Sequence, residues 1–265
     1  MNKIILITGS TDGIGKATAK AFIKLGHRVL LHGRSVEKLA NVKEELSSEF
    51  GEANIEAFAA DLSDFNKVRA LAEQIAGEHQ RIDVLINNAG VYKVANKTAD
   101  NGIDVRFVVN TISPYLLTLS LMPLLGRDAR VINLSSAAQA PVDISALGKA
   151  NYLTDDLAYA QSKLALTMWS RHMAETQGAE GPAIIAVNPA SFLGSNMVKE
   201  AYGMEGKDLQ IGVDVLSRAA LSDEFSDASG LYFDNDKGVF SQPHSDALNS
   251  NKNRNVVNKL DEILA

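Results

Sequence analysis

The chain is 265 residues long with 46% hydrophobic and 22% charged residues, enough for one large buried core and unlike disordered or fibrous sequences. Its 26 Lys and Arg against 32 Asp and Glu leave a net charge of −6, a field that does not gather polyanions, so no nucleic-acid partner is expected. The absence of cysteine removes disulfides, thiolate zinc sites and cysteine nucleophiles together, and agrees with a reducing, cytoplasmic setting.

Residues 3–8 read as a first strand; its apolar run, Ile4 to Ile7, is too short for the apolar region of a signal peptide. The loop Thr8-Gly9-Ser10-Thr11-Asp12-Gly13-Ile14-Gly15 follows. Gly9, Gly13 and Gly15 permit a tight turn and let backbone N–H groups near Thr11 and Ile14 approach a pyrophosphate at the start of a helix over 15–25. The same spacing also suits a plain strand-to-helix turn. A second strand over 28–32 runs into Gly33-Arg34-Ser35. There a carboxylate would accept from a free ribose 2′-hydroxyl, whereas a guanidinium would pair with a 2′-phosphate. Arg34 therefore favours NADP(H) over NAD(H), the alternative being a solvated residue at the start of a helix over 35–50.

A third strand over 55–60 delivers Asp61 and Leu62. Asp61 fits two roles, accepting from an adenine amino group or capping the helix over 64–78. The fourth strand, 82–87, ends in Asn87-Asn88-Ala89-Gly90, small residues able to lie against a flat cofactor. The apolar stretch 107–126 matches a membrane span in length, but Asn110, Ser113, Pro114, Ser120 and Pro123 interrupt it; a helix over 101–125 packed inside the fold is expected, with no transmembrane segment. A fifth strand, 130–134, presents Ser135-Ser136 at its end. A helix over 156–177 carries Tyr159 and Lys163, whose Cβ atoms at this spacing lie about 5–6 Å apart on one face. The ammonium favours tyrosinate, drawing the phenol down from its reference value of about 10. A sixth strand spans 183–188. The tail 223–265 reads as an irregular extension, with 231–233 as a last edge strand, loop over 241–255 and a short helix near 256–264.

Strands alternating with helices at this spacing predict right-handed crossovers and a single doubly wound α/β (Rossmann) domain over 1–265. Its mainly parallel sheet has about seven strands, with helices on both faces. Ligands in such sheets bind beyond the carboxyl ends of the strands. The five histidines show no His-Glu-x-x-His spacing and read as surface or packing residues, so no metal ligand is expected. No Gly-x-Ser-x-Gly elbow or P-loop is present.

In order and strand position, the 8–15 loop, Asn87-Asn88-Ala89-Gly90, Asn110, Ser136 and Tyr159 with Lys163 resemble the short-chain dehydrogenase/reductase family over residues 3 to about 198. The resemblance implies an NAD(P)-dependent oxidoreductase acting on a small ketone, aldehyde or alcohol, with homo-oligomers common. It assigns Tyr159 as general acid/base, Lys163 to the nicotinamide ribose and the tyrosine, Ser136 to the substrate oxygen, and Asn110 to a proton relay. Cofactor contacts carry over to Gly9, Thr11, Gly13, Ile14, Gly15, Arg34, Asp61, Leu62, Asn88, Ala89, Gly90, Tyr159, Lys163 and Pro189. The alternative reading is a catalytically silent dinucleotide-binding sensor or interaction protein.

Two departures matter. Ser136 and Tyr159 lie 23 positions apart, farther than in many members, because 141–156 is inserted; this spacing and Tyr159-Ala-Gln-Ser-Lys163 are similar to the retinol-dehydrogenase-like branch. The family's Pro-Gly after the sixth strand is Pro189-Ala190, which adds a methyl where the backbone would pass the nicotinamide carboxamide. Ser195 stands near the family's usual threonine.

Overall fold

The computed structural model describes residues 2–150 and 153–265, with residues 201 and 202 described by backbone alone. Strands β1 (Ile4–Ile7), β2 (Arg28–Gly33), β3 (Ile55–Ala59), β4 (Val84–Asn87), β5 (Arg130–Leu134), β6 (Ala183–Asn188), β7 (Tyr232–Asp234) and β8 (Val239–Ser241) form one sheet. Their order is β3-β2-β1-β4-β5-β6-β7-β8, all parallel except the β7/β8 pair. The sheet therefore has eight strands, one more than expected. Strand order reverses between β1 and β4, which lie parallel, and this opens a crevice at the carboxyl ends, where such sheets bind ligands.

Both faces are covered, which explains why the strands read as continuous apolar runs. Ile5 and Ile7 join Phe22, Leu39 and Leu216 on the side of α1 (Gly13–Lys24), α2 (Val36–Phe50) and α8 (Gln210–Leu221). Leu6 turns the other way, joining Leu71, Leu117 and Trp169 from α3 (Phe65–Glu78), α5 (Ser113–Leu121) and α6 (Asp155–Gln177). Ser35 and Asp64 cap α2 and α3 as their positions suggest: the Ser35 hydroxyl accepts from Lys38 N–H, and Asp64 accepts from Asn66 and Lys67 N–H.

The helix expected over 101–125 is shorter and irregular. Gly102 turns with φ 78°, and Asp104 caps α4 (Val105–Phe107), which widens into a π-helical segment, Val108–Ile112, before α5. Pro114 has no N–H to return to the Asn110 carbonyl four residues back, so the regular ladder cannot continue there. The stretch Val105–Leu124 is apolar and long enough to cross a membrane, and 72% of its most apolar window is buried within this fold.

The tail is more ordered than its composition suggests. Residues 231–233 are expected at the sheet edge, but β8 forms the edge instead, and Phe240 closes an aromatic group with Phe225 and Phe233. Helix α9 (Ser250–Leu264) begins well before residue 256, because Asn249 accepts from the Asn251 and Lys252 N–H groups. Within the run that reads as loop, residues 245–248 form a 3-10 turn and 250–255 the polar first turns of this helix. Two further helices, α7 (Asn196–Tyr202) and α8, were not legible. In the 141–156 insertion, residues 151 and 152 lie outside the described residues.

A buried ion cluster ties the insertion to the core. Arg106, fully buried, donates Nε–H to Asp104 Oδ1 at 2.8 Å and also pairs with Asp155 at the start of α6. Replacing Arg106 with Met should cost about 3–5 kcal/mol, since the buried Asp104 charge loses its partner. Urea unfolding of the variant measures this loss; a cost under about 1 kcal/mol would show the cluster to be no stronger than a surface pair.

Candidate active site

One cleft of about 460 Å³ lies at the carboxyl ends of the strands, within the range of small-molecule sites. Every residue expected at the cofactor lines it: Gly9, Thr11, Gly13, Ile14 and Gly15 from the first loop, Arg34, Asp61 and Leu62 after β2 and β3, Asn88, Ala89 and Gly90 after β4, Tyr159 and Lys163 on α6, and Pro189 after β6.

The glycine loop is shaped by close backbone approach. Gly9 and Gly13 have φ of 66° and 53°, conformations that glycine adopts without strain. A Cβ on Gly15 would stand 2.3 Å from the Gly9 carbonyl oxygen, and one on Gly33 would stand 2.5 Å from Thr11 Cγ2. Asn88 holds the loop from the far side, donating to Thr8 O at 2.8 Å and Gly9 O at 3.0 Å. Its amide is thus spent on the loop. Thr8 Oγ1 accepts from the Asn88 and Ala89 N–H groups, each at 3.0 Å.

His32, read from sequence as packing, completes this cradle. Its Nδ1 accepts from Gly9 N–H at 3.2 Å while Nε2 donates to Ala60 O at 3.1 Å, a pairing that requires the neutral ring. Burial pushes its pKa down to about 4. The loop residue Asp12 accepts from Gly13 N–H at 2.8 Å, and Asn196 at the start of α7 donates to its other oxygen at 2.5 Å. Ser195 caps α7 and lines the same cleft.

Arg34 is exposed at the cleft mouth, and no ion pair engages it among the described residues. Asp61 does not cap α3, which Asp64 does; its Oδ1 accepts from the Ser63 N–H at 2.9 Å and the Ser63 hydroxyl at 2.8 Å. Burial works to raise the Asp61 pKa, but these bonds, with the nearby charges of Arg34 and Lys67, hold it below the usual carboxylate value.

On α6, Lys163 is buried and donates to Leu134 O at 2.7 Å; its Nζ lies 5.6 Å from the Tyr159 ring centroid. Desolvation lowers the ammonium to about 8, still above neutrality. Tyr92, which sequence reasoning missed, packs edge-on against Tyr159 with centroids 4.9 Å apart, and its hydroxyl donates to Asp156.

Two expected residues are not among those lining the cleft. Asn110 is buried: both amide hydrogens are used, on Val91 O at 2.9 Å and Ser162 Oγ at 3.0 Å, and its oxygen accepts from Val91 N–H at 2.8 Å. A relay through that amide does not fit this geometry; the side chain fixes the segment after β4 instead. Ser136 Oγ accepts from Ala138 N–H at 3.1 Å, which leaves its proton to donate. The serine that lines the cleft, Ser135, shares a 2.7 Å hydrogen bond with Thr167. Among the described residues one group has donor atoms close enough for a metal, Glu56, Glu78 and His79; it shares no residue with the cleft, and His79 Nε2 already meets Glu56 at 2.9 Å.

The family model described as short chain dehydrogenase matches residues 3–206. Retinol dehydrogenase 13 of Homo sapiens is 29% identical over 251 residues, covering 88% of this chain and 76% of that protein. Retinol dehydrogenase 11 of Homo sapiens is 32% identical over 245 residues, covering 87% and 76%. Among solved structures, the Pseudomonas aeruginosa RhlG/NADP active-site complex superposes with a TM-score of 0.71 at 25% identity, covering 88% of this chain and 94% of that one.

His32, with a folded-state pKa near 4 and an unfolded value of about 6.5, takes up its proton first in the unfolded chain. Its contribution is complete above pH ~6.5 and is lost as pH falls toward ~4, by at most about 3.5 kcal/mol. Chemical denaturation across this window should show that slope, and His32→Gln should flatten it. Identical pH slopes in the two proteins would refute the assignment.

Proposed function

The chain belongs to the short-chain dehydrogenase family, whose model spans 3–206, and from that premise we propose an NADP-preferring oxidoreductase that interconverts a carbonyl and an alcohol, with Tyr159 as proton donor and acceptor. The observation that carries this reading is the opening of Tyr159, Lys163 and the glycine loop onto one cleft. The dinucleotide fits the residues present: without a Cβ, Gly15 packs against the Gly9 carbonyl and Gly33 against Thr11, so the tight loop brings the start of α1 to the cleft, where the Ile14 and Gly15 N–H groups have no intrahelical acceptor.

When bound, the nicotinamide supplies or takes up a hydride. The chain supplies the rest. Tyr159 passes its phenolic proton to the substrate oxygen in reduction and takes it back in oxidation. The Lys163 ammonium, anchored on Leu134 O, favours the negative charge that develops on the phenol oxygen. Ser136 has a hydroxyl proton free to donate to the substrate carbonyl, because its oxygen already accepts from Ala138. Tyr92 and Asp156 hold the Tyr159 ring edge-on. Arg34 receives the 2′-phosphate, and the NADP complex of the P. aeruginosa structure supports that choice.

Val94, Val109 and Met197 line the cleft, and Phe192 is 45% exposed beside Pro189. With relatives named retinol dehydrogenases, these residues support a lipophilic alcohol, aldehyde or ketone as substrate.

Tyr159→Phe should lower kcat by about 10²–10⁴-fold while NADPH affinity, read by fluorescence titration, stays within about threefold. A chain that binds NADPH but shows no turnover with a broad carbonyl panel in the wild type would favour the silent sensor instead. Arg34→Ala should weaken NADPH binding about tenfold and leave NADH binding unchanged; equal wild-type affinity for the two nucleotides would overturn the preference.

A further inference from the structure

The two residues other than glycine with positive φ among the described residues are Ala190 at 122° and Phe192 at 59°. Both lie in the segment that leaves β6 and passes the cleft at Pro189. Such conformations are costly for a residue with a Cβ and persist only where the surroundings over-determine them. Backbone bonds hold the segment at Phe192: its carbonyl accepts from Lys207 N–H at 2.6 Å, and Gly194 N–H donates to Lys207 O at 2.8 Å.

Ala190 is held differently, by side chains from the turn between β7 and β8. Asn235 Nδ2 donates to Pro189 O at 3.0 Å, on one side of Ala190. On the other side Asp236 receives the Ser191 N–H at 2.9 Å and the Ser191 hydroxyl at 2.5 Å. Asp236 also accepts from Asn188 Nδ2 at 3.0 Å, and Lys207 Nζ approaches it at 3.6 Å. These bonds hold the Asp236 carboxyl below the usual carboxylate range against the opposing effect of burial. One turn thus grips both neighbours of the strained residue, from a part of the chain beyond the 3–206 match.

We propose that Asp236 is a positioning residue for the dinucleotide site: from the β7–β8 turn it holds the 189–191 segment in a backbone conformation that Ala190 alone would leave. The proposal rests on the functional reading above. Glycine in place of Ala190 would adopt that conformation without strain; alanine needs it imposed. The clamp and the methyl are therefore coupled, which a merely structural role for Asp236 would not require.

The test is a double-mutant cycle of wild type, Asp236→Ala, Ala190→Gly and the double variant, read by NADPH titration and by amide hydrogen exchange of 190–194 without nucleotide. Asp236→Ala should weaken NADPH binding about tenfold and speed exchange in this segment, whereas in the Ala190→Gly background the same change should cost less than about threefold. Equal losses in the two backgrounds, or unchanged exchange in Asp236→Ala, overturn the proposal. Should Asp236→Ala fail to fold, Asp236→Asn, which keeps one acceptor oxygen, replaces it in the cycle. A wild type that binds no NADPH overturns the functional reading and the clamp's role in binding; the exchange arm still decides whether the clamp itself exists.

Discussion

The cleft depends on how closely three stretches of backbone meet beyond the ends of β1, β2 and β4. Only hydrogen at Cα lets Gly15 sit against the Gly9 carbonyl and Gly33 against Thr11. Such proximity leaves backbone groups of the loop facing inward, away from water, where each needs a partner. Asn88 takes the carbonyls of Thr8 and Gly9, Thr8 Oγ1 takes the N–H groups of Asn88 and Ala89, and His32 takes the N–H of Gly9. The polar residues at the strand ends are thus first a solution to the loop's own hydrogen bonding. At the start of α1 Asp12 takes the Gly13 N–H, and the N–H groups that follow, which have no intrahelical acceptor, are the ones that would suit a phosphate.

The opposite wall is set by α6 in a parallel way. Its first turn is anchored through Asp155 to Arg106, and Asp155 also receives Lys97 at 2.7 Å. Further along, Ser162 Oγ accepts from Asn110, and Thr111 donates to the Ser162 carbonyl at 2.8 Å. These contacts fix the rotation of the helix. Since Tyr159 and Lys163 share a face, fixing the rotation aims both side chains at once. Asn110 sits in the π-helical segment, four residues before the Pro114 that interrupts the helical ladder.

The architecture was legible because its strands are buried on both faces and its helices carry caps; the sixth strand and the starts of α2 and α3 follow from Ser35, Asp64 and the run at 183–188. The residues that line the cleft were legible as positions at strand ends, although their contacts were not. Asn88 and Asn110 look like ligand-facing amides in one dimension, and only tertiary contact shows that the backbone claims them. His32 carried no local sign of its bridge to Gly9, since its partners are 23 and 28 positions away. Tyr92 is similar: its neighbours Asp156 and Tyr159 lie far along the chain on α6, and no local pattern brings them to it. Helix α9 was obscured because its first turns are polar, and Asn249 resembles a loop residue until the N–H groups it accepts are known.

The tail shows why a family pattern that ends near residue 206 does not end the site. The β7–β8 pair closes the sheet edge next to β6, so its turn necessarily lies beside whatever leaves the carboxyl end of β6. In this chain that segment carries alanine where the resemblance expects glycine, and the turn presents Asn235 and Asp236 to the residues on either side of it. A methyl that would relax the backbone and carboxyl and amide groups that forbid relaxation occupy adjacent places in space while lying 46 positions apart, as Asp236 minus Ala190. Strain that is tolerated at a cleft wall is strain that the neighbouring strand pair has been shaped to hold. On this account the C-terminal residues are not an appendage to the dinucleotide fold, because the geometry of its cleft wall is completed by them.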